Sequence, residues 1–234
     1  MPEGFPTTQW SALLGARSDD DGERRRSWTT LVGAYWKPAY KHVRIKWGKS
    51  REDAEDLLQG FFERAMSKEF FARYEPDRAR FRTFFRVCLD RFVANEEKAR
   101  TRQKRGGGLS LDFDAAESEL GRMGASGSPE ELFDREWRRS LFAIAIDALG
   151  EQCKKGGKET AYRIFCRYDL SEASERPSYE TIARDLDLPV TTVTNQLAWA
   201  RRELRQIVLE KLGEVTASKR ELVDEARTLL GPRS

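Results

Sequence analysis

The stretch that most restricts this chain is 178–208, SYETIARDLDLPVTTVTNQLAWARRELRQIV. Ser178 is placed to cap a short helix whose inner face carries Ile182, Ala183 and Leu186. Asp187-Leu188-Pro189 makes a tight turn, and Thr191 is placed to cap a longer helix with Val193, Leu197, Ala200 and Leu204 inside. A small residue at Ala183 lets the two helices cross closely, and the short turn sets their angle. Two unrelated helices joined by a turn is the alternative, but the helix-turn-helix pattern accounts for more of these residues. No β-strand pattern of any strength occurs, so the expected fold is all-α: two small helical domains joined by a flexible acidic linker, the C-terminal one a helix-turn-helix.

The second constraint is 78–105, RARFRTFFRVCLDRFVANEEKARTRQKR. Phe81, Phe85, Cys88 and Phe92 recur at helical spacing on one face. Arg91, Asn95, Lys98 and Arg102 recur on another, preceded by Arg78, Arg80, Arg82 and Arg86. A helix anchored by aromatics that presents cations and an amide suits a nucleic-acid backbone with some base contact. The same residues also fit an amphipathic helix with a solvated charged face, and this segment alone leaves both readings open.

Charge adds to the case through its distribution. The 234 residues are 35% charged yet carry a net charge of only +3. Acid gathers in 52–56 and 112–136, base in 78–105 and 201–205, a block pattern that implies separate surfaces for separate partners. Cys88, Cys153 and Cys166 show no CxxC pairing and fit a reducing compartment. The single histidine, His42, rules out a zinc finger and disfavours a histidine-dependent triad. Gly106-Gly107-Gly108 is no phosphate loop, because no Lys-Ser/Thr follows it. No metal, cofactor or catalytic site is expected. Without a membrane-length apolar run or a signal peptide, the expected location is cytoplasmic.

Thr7 to Gly15 reads as a short helix with Trp10, Leu13 and Leu14 inward, and 19–26 as a charged connector. The next helix carries Trp28, Leu31, Val32 and Tyr35, with Pro38 interrupting or restarting it before Tyr40, Val43 and Trp47. Ser50 opens a new helix as a cap with Asp53 three residues on. Its first turns hold Glu52, Asp53, Glu55 and Asp56, more carboxylates than the helix dipole calls for. Pro129 starts the second half, and the tail reads as a polar helix with Leu222, Ala226 and Leu229 or Leu230 repeating.

Taken together, DAEDLLQGFF, then RARFRTFF leading into a basic helix with Asn95, an acidic linker and a C-terminal helix-turn-helix resemble bacterial RNA polymerase sigma factors. The nearest type is the small two-domain extracytoplasmic-function (ECF) group. The resemblance covers about 27–105 and 137–212. It implies a polymerase-docking and −10 domain at 27–105, a linker at 106–128, a −35 domain at 129–212, and extensions at 1–26 and 213–234. Asp53, Glu55, Asp56, Leu57, Gln59 and Phe62 match the segment that docks on the polymerase β′ coiled coil. Arg80, Phe81, Arg82, Phe84, Arg86, Arg91, Asn95, Lys98 and Arg102 fall in or beside the segment that melts and reads the −10 element as single strand. Thr191, Thr192, Asn195, Arg201, Arg202 and Arg205 fall where the family reads the −35 element as duplex. The acids Asp112, Asp114, Glu117 and Glu119 sit where such factors thread toward the polymerase active centre.

The implied partners are core RNA polymerase, through its β′ coiled coil and β flap, and promoter DNA in both forms. An anti-sigma factor or other regulator is a third candidate, on the extensions or the 170–177 insertion. Departures are Gly60 where an acid is usual, Phe84 where tryptophan or tyrosine is frequent, and Asp187 where glycine is usual. The expectation is a non-catalytic promoter-specificity subunit. The alternative is a helix-turn-helix regulator that binds duplex DNA without joining polymerase, which has no need of the acidic 52–56 segment.

Overall fold

The computed structural model describes residues 12–16, 18–100, 113–121 and 127–231. Trp10, Arg102, Gly106 to Gly108 and Asp112 lie outside the described residues. Those described form helices, and no strand occurs among them. The chain divides into unit 1, residues 1–141 and 212–234, and unit 2, residues 142–211. The C-terminal extension and the first turns of the helix after the linker therefore belong to unit 1, a different division from the one the sequence implied.

Unit 1 is built on the long helix α2 (Asp21–Lys46), preceded by α1 (Ala12–Gly15). Asp20 caps α2 by accepting from the Glu23 amide at 2.6 Å, so most of the expected 19–26 connector is helical. Pro38 lies inside α2 without ending it. Proline removes one backbone hydrogen bond, but Ala34, Tyr35, Pro38, Ala39 and Tyr40 are all buried, and packing keeps both halves in one helix. Next come α3 (Arg51–Ala65), the short α4 (Lys68–Ala72) and α5 (Phe81–Arg100). Ser50 caps α3 as its sequence promised, accepting from the Asp53 amide at 3.1 Å.

A continuous aromatic core joins these helices. Trp28 and Tyr35 of α2 meet Phe62, Phe71, Phe81 and Phe85 at centroid distances of 4.6–6.1 Å, mostly edge-on. Such pairs add about 0.5–1.5 kcal/mol each beyond burial.

The linker is not uniformly open chain. Its residues 113–121 form α6, which lies against α2. Phe113 packs on Trp36 and Tyr40, Glu119 bonds Lys37 and Lys41, and Glu117 bonds Tyr40 and Arg44. Asp114 reaches Arg51 at 2.6 Å. Helix α7 (Pro129–Lys155) contributes its first turns to unit 1, and Lys41, 2% exposed, pairs with its buried Glu136 at 2.5 Å. Removing one partner of a buried pair of this kind costs about 3–5 kcal/mol, because the other charge is left buried and uncompensated.

The last helix, α11 (Lys219–Leu230), closes unit 1. Its buried residues are Glu221, Glu225 and Ala226, while Leu222, Leu229 and Leu230 remain partly exposed. The inward face is thus rotated from the one that leucine spacing indicated, because this helix meets arginines and a helix terminus.

Unit 2 holds the rest of α7, then α8 (Glu159–Asp169), α9 (Tyr179–Asp185) and most of α10 (Val190–Glu214). Ile182, Ala183, Val193, Leu197 and Ala200 form the buried seam of a helix-turn-helix, with Leu186 and Leu204 at its margin. Ser178 caps α9, accepting from the Thr181 amide at 3.2 Å. The turn is a Schellman motif: the Leu188 amide donates to Ala183 O at 2.9 Å and the Asp187 amide to Arg184 O at 3.3 Å. Asp187 takes φ 52°, the left-handed position usually given to glycine. Helix α10 starts at Val190, so Thr191 lies in its first turn rather than at the cap.

Candidate nucleic-acid interface

The basic residues of α5 divide between two sides of the helix. On one side Phe84, Cys88, Arg91, Phe92 and Asn95 line a cleft of about 470 Å³ with residues of α3, α4 and the segments beside them. Its walls include Phe61, Phe70, Phe84 and Phe92; cations come from Arg64, Arg73 and Arg91, a carboxylate from Glu69, and neutral hydrogen-bonding groups from Ser67, Thr83 and Asn95. The volume falls within the range of small-ligand pockets, roughly 300–1,000 Å³.

Phe84 packs against Phe70, another wall of the cleft, at 5.3 Å and against Tyr74, which is not part of the lining, at 5.2 Å, so its ring is held at the opening. Burial pushes the Cys88 thiol above its ordinary pKa, against the pull of Arg91 and Arg73, which makes it a neutral wall. Gly60 has a structural reason here: a Cβ at that position would stand 3.3 Å from the Phe92 ring, tight enough to make the ring give. Arg64, Ser67, Phe70 and Arg73 lie outside the 78–105 segment and were not among the expected contacts. The adjacency of FF and RY at 70–74 to the basic stretch was the available signal.

The opposite side of α5 is occupied by the protein itself. Arg82, 7% exposed, lies 3.3 Å from Glu225 and 3.4 Å from Asp134, with its guanidinium 5.0 Å over the Trp137 ring. These approaches lack hydrogen-bond alignment: both Glu225 oxygens and Arg82 Nε and Nη1 have no hydrogen-bond partner among the described residues. Burial accordingly raises the pKa of Glu225, with Arg82 and Arg80 opposing. Arg80 lies 3.4 Å from Glu225, and Arg86 pairs with Glu130 at 3.0 Å.

Asp90, on the same side, accepts from His42 at 2.9 Å, Trp47 at 2.9 Å and Lys46 at 3.0 Å. Burial works against its charge, but the hydrogen bonds from His42, Trp47 and Lys46 prevail and hold its pKa at about 2.

Several expected contacts are therefore relocated. Phe81 is core, stacked on Phe71 with rings 12° apart and edge-on to Tyr35. Arg82 is buried, while Arg80 and Arg86 are ion-paired on the side away from the cleft. Phe84, Arg91 and Asn95 meet at the cleft, and Lys98 is exposed one turn further along α5.

On α3, Leu57 and Phe62 are buried in the aromatic core and do not form part of an outer surface. Asp56 is exposed, and Asp53, Glu55 and Gln59 are partly so. Asp53 sits 3.0 Å from the Ser50 hydroxyl, and Glu55 bonds Arg51 at 2.7 Å.

In unit 2, Thr191, Asn195, Arg201 and Arg202 are exposed on α10, with Thr192 and Arg205 half-exposed. Arg201 is clamped by two hydrogen bonds to Asp169, at 2.8 and 2.7 Å, beside the Tyr168 ring. This fork geometry makes it a strut between α10 and α8. Lys158 covers Trp199 at 5.7 Å.

No metal-ligating cluster occurs among the described residues, and none of their helices is long and apolar enough to cross a membrane. Comparison with protein-family models, curated proteins and solved structures yields no match.

Proposed function

We propose that this chain is a sigma factor of the extracytoplasmic-function type, which joins core RNA polymerase and brings it to two-part promoters. In this reading the Asp53–Asp56 face of α3 meets the polymerase β′ coiled coil, where opposite charge steers association and sets register. The α5 cleft takes an unstacked base of the −10 element, and Thr191, Asn195 and Arg202 of α10 address the −35 duplex. The work is done in the cytoplasm and without catalysis by this chain: binding energy goes into holding separated strands.

The observation that carries this reading is the cleft beside α5, where Phe84 and Phe70 stand among Arg64, Arg73, Arg91 and Asn95. Aromatic faces with flanking cations are the equipment of single-strand binding, in which each stacked base contributes about 1–3 kcal/mol. A regulator that binds only duplex DNA would be served by α9 and α10 and has no use for the cleft.

The test mixes purified chain with core RNA polymerase at moderate salt, followed by gel filtration and transcription from a library of promoter fragments. Co-elution and initiation at a subset of promoters are expected, and Asp56→Arg should abolish both without changing the circular dichroism spectrum. Tight duplex binding with no co-elution would overturn the proposal in favour of the duplex regulator.

A further inference from the structure

The C-terminal helix has a task that its distance in sequence from the cleft conceals. We infer that Glu221 is a positioning residue for the α5 cleft: it fixes the 74–81 turn that carries the cleft's rim. The inference rests on the single-strand reading of that cleft.

Glu221 is 8% exposed, and its carboxylate gathers groups from three places. Oε1 accepts from the Phe81 amide at 2.6 Å. Oε2 accepts from the Ala217 amide at 2.9 Å and lies 3.2 Å from the Tyr74 hydroxyl. The hydroxyl is also 3.1 Å from Ala79 O, so its one proton is shared between two acceptors and ties both ends of the turn.

Each contact has a consequence at the cleft. The Phe81 amide is one of the donors that the start of α5 leaves unsatisfied, and a carboxylate there is also favoured by the helix dipole. Tyr74 backs Phe84, the ring offered to the opening, and Ala79 and Thr83 belong to the lining. Glu221 itself is absent from the lining, so it acts through Tyr74 and the backbone. A leucine-faced helix would cover the bundle with less penalty than buried acids do. That α11 instead turns Glu221 inward fits a role in holding the turn rather than in covering apolar surface.

The test uses the full chain and a degenerate single-stranded DNA dodecamer carrying 2-aminopurine, whose fluorescence falls when the base stacks on a ring. Wild type should quench the probe. Glu221→Ala should bind it about tenfold more weakly, the scale of one lost charge-assisted hydrogen bond. Glu221→Gln, which keeps an acceptor for the Phe81 amide, should recover most of that loss. Hydrogen exchange at the Phe81 amide should quicken in Glu221→Ala while Leu89 and Val93 keep their protection. If Glu221→Ala does not fold, Tyr74→Phe decides, since it keeps the ring and loses the tie; a smaller loss in the same direction is expected. Unchanged affinity in folded variants with a quenching wild type overturns this role alone. Tighter binding also overturns it, and makes α11 a shield. A wild type that leaves the probe unquenched overturns the cleft reading and this role together.

Discussion

On one side of α5, Arg82 and Arg86 meet Glu225, Asp134 and Glu130 from α11 and α7; on the other, Arg91 stands with Asn95 and Phe84 at an open cleft. The residue types are the same, and the helix is the same. What separates them is what other segments bring up. The carboxylates of α7 and α11 close on Arg82 and Arg86, whereas Arg91 stands at an opening lined mainly by aromatic rings and other cations, with one carboxylate, Glu69. Unit 2 repeats the lesson at smaller scale, where two adjacent, exposed arginines on α10 differ in that Arg201 is clamped by Asp169 and Arg202 is not. A basic helix is therefore a poor guide to a nucleic-acid surface until each cation's neighbour is known.

The contrast can be broken most decisively at Arg82. Removing it leaves Glu225 buried without its main countercharge, and Arg82→Ala should cost about 3 kcal/mol in urea unfolding. Arg82→Ala with wild-type stability and weaker single-strand binding would place Arg82 on the cleft's side after all. Phe84→Ala is the counterpart. It should weaken single-stranded DNA binding by about 1–3 kcal/mol, measured by anisotropy, while duplex binding stays unchanged.

Acid sharpens the same contrast. Because Asp90 is held at about 2 in the folded chain, against about 3.9 in an unfolded one, its contribution is complete above the higher value. It is lost as pH falls through the lower one. Glu225, raised by burial, works the opposite way, and its protonation relieves unit 1 as pH falls. In Asp90→Asn, the loss of stability between about pH 4 and pH 2 should be shallower than in wild type; identical acid transitions would remove Asp90 from its anchoring role.

The smallest effects distinguish single cations. Arg91→Ala should lower the salt slope of single-strand binding by about 0.7. Its stability should stay within about 0.5 kcal/mol of wild type. Arg86→Ala should leave that slope alone. On α10, Arg202→Ala should lower the duplex salt slope by about 0.9, and Arg201→Ala should instead loosen α10 from α8. Equal slopes for the two α10 variants would erase the distinction between strut and contact.

Local features were readable before any tertiary information. Ser50 and Ser178 cap their helices because a serine can meet an amide three residues ahead wherever the chain goes next. Asp187 adopts the left-handed turn for an equally local reason. Phe81 and Phe84 show where this ends. Their spacing marks both as helical, but α5 is packed on more than one side, so Phe81 enters the core and Phe84 reaches the cleft. Pro38 within α2 was hidden for a related reason, since burial on both sides of it outweighs a single lost hydrogen bond.

By itself, then, the sequence determined an all-helical chain, the helix-turn-helix seam of α9 and α10, and a basic aromatic helix with an acidic neighbour. Periodicity and capping act over a few residues, and a linear reading contains them. Only the tertiary structure decided which arginines are neutralised, that α6 rests on α2, and that Glu221 meets the Phe81 amide across 140 positions of chain. Those outcomes depend on which charged groups burial forces together, and burial is a property of the packed unit rather than of neighbouring residues.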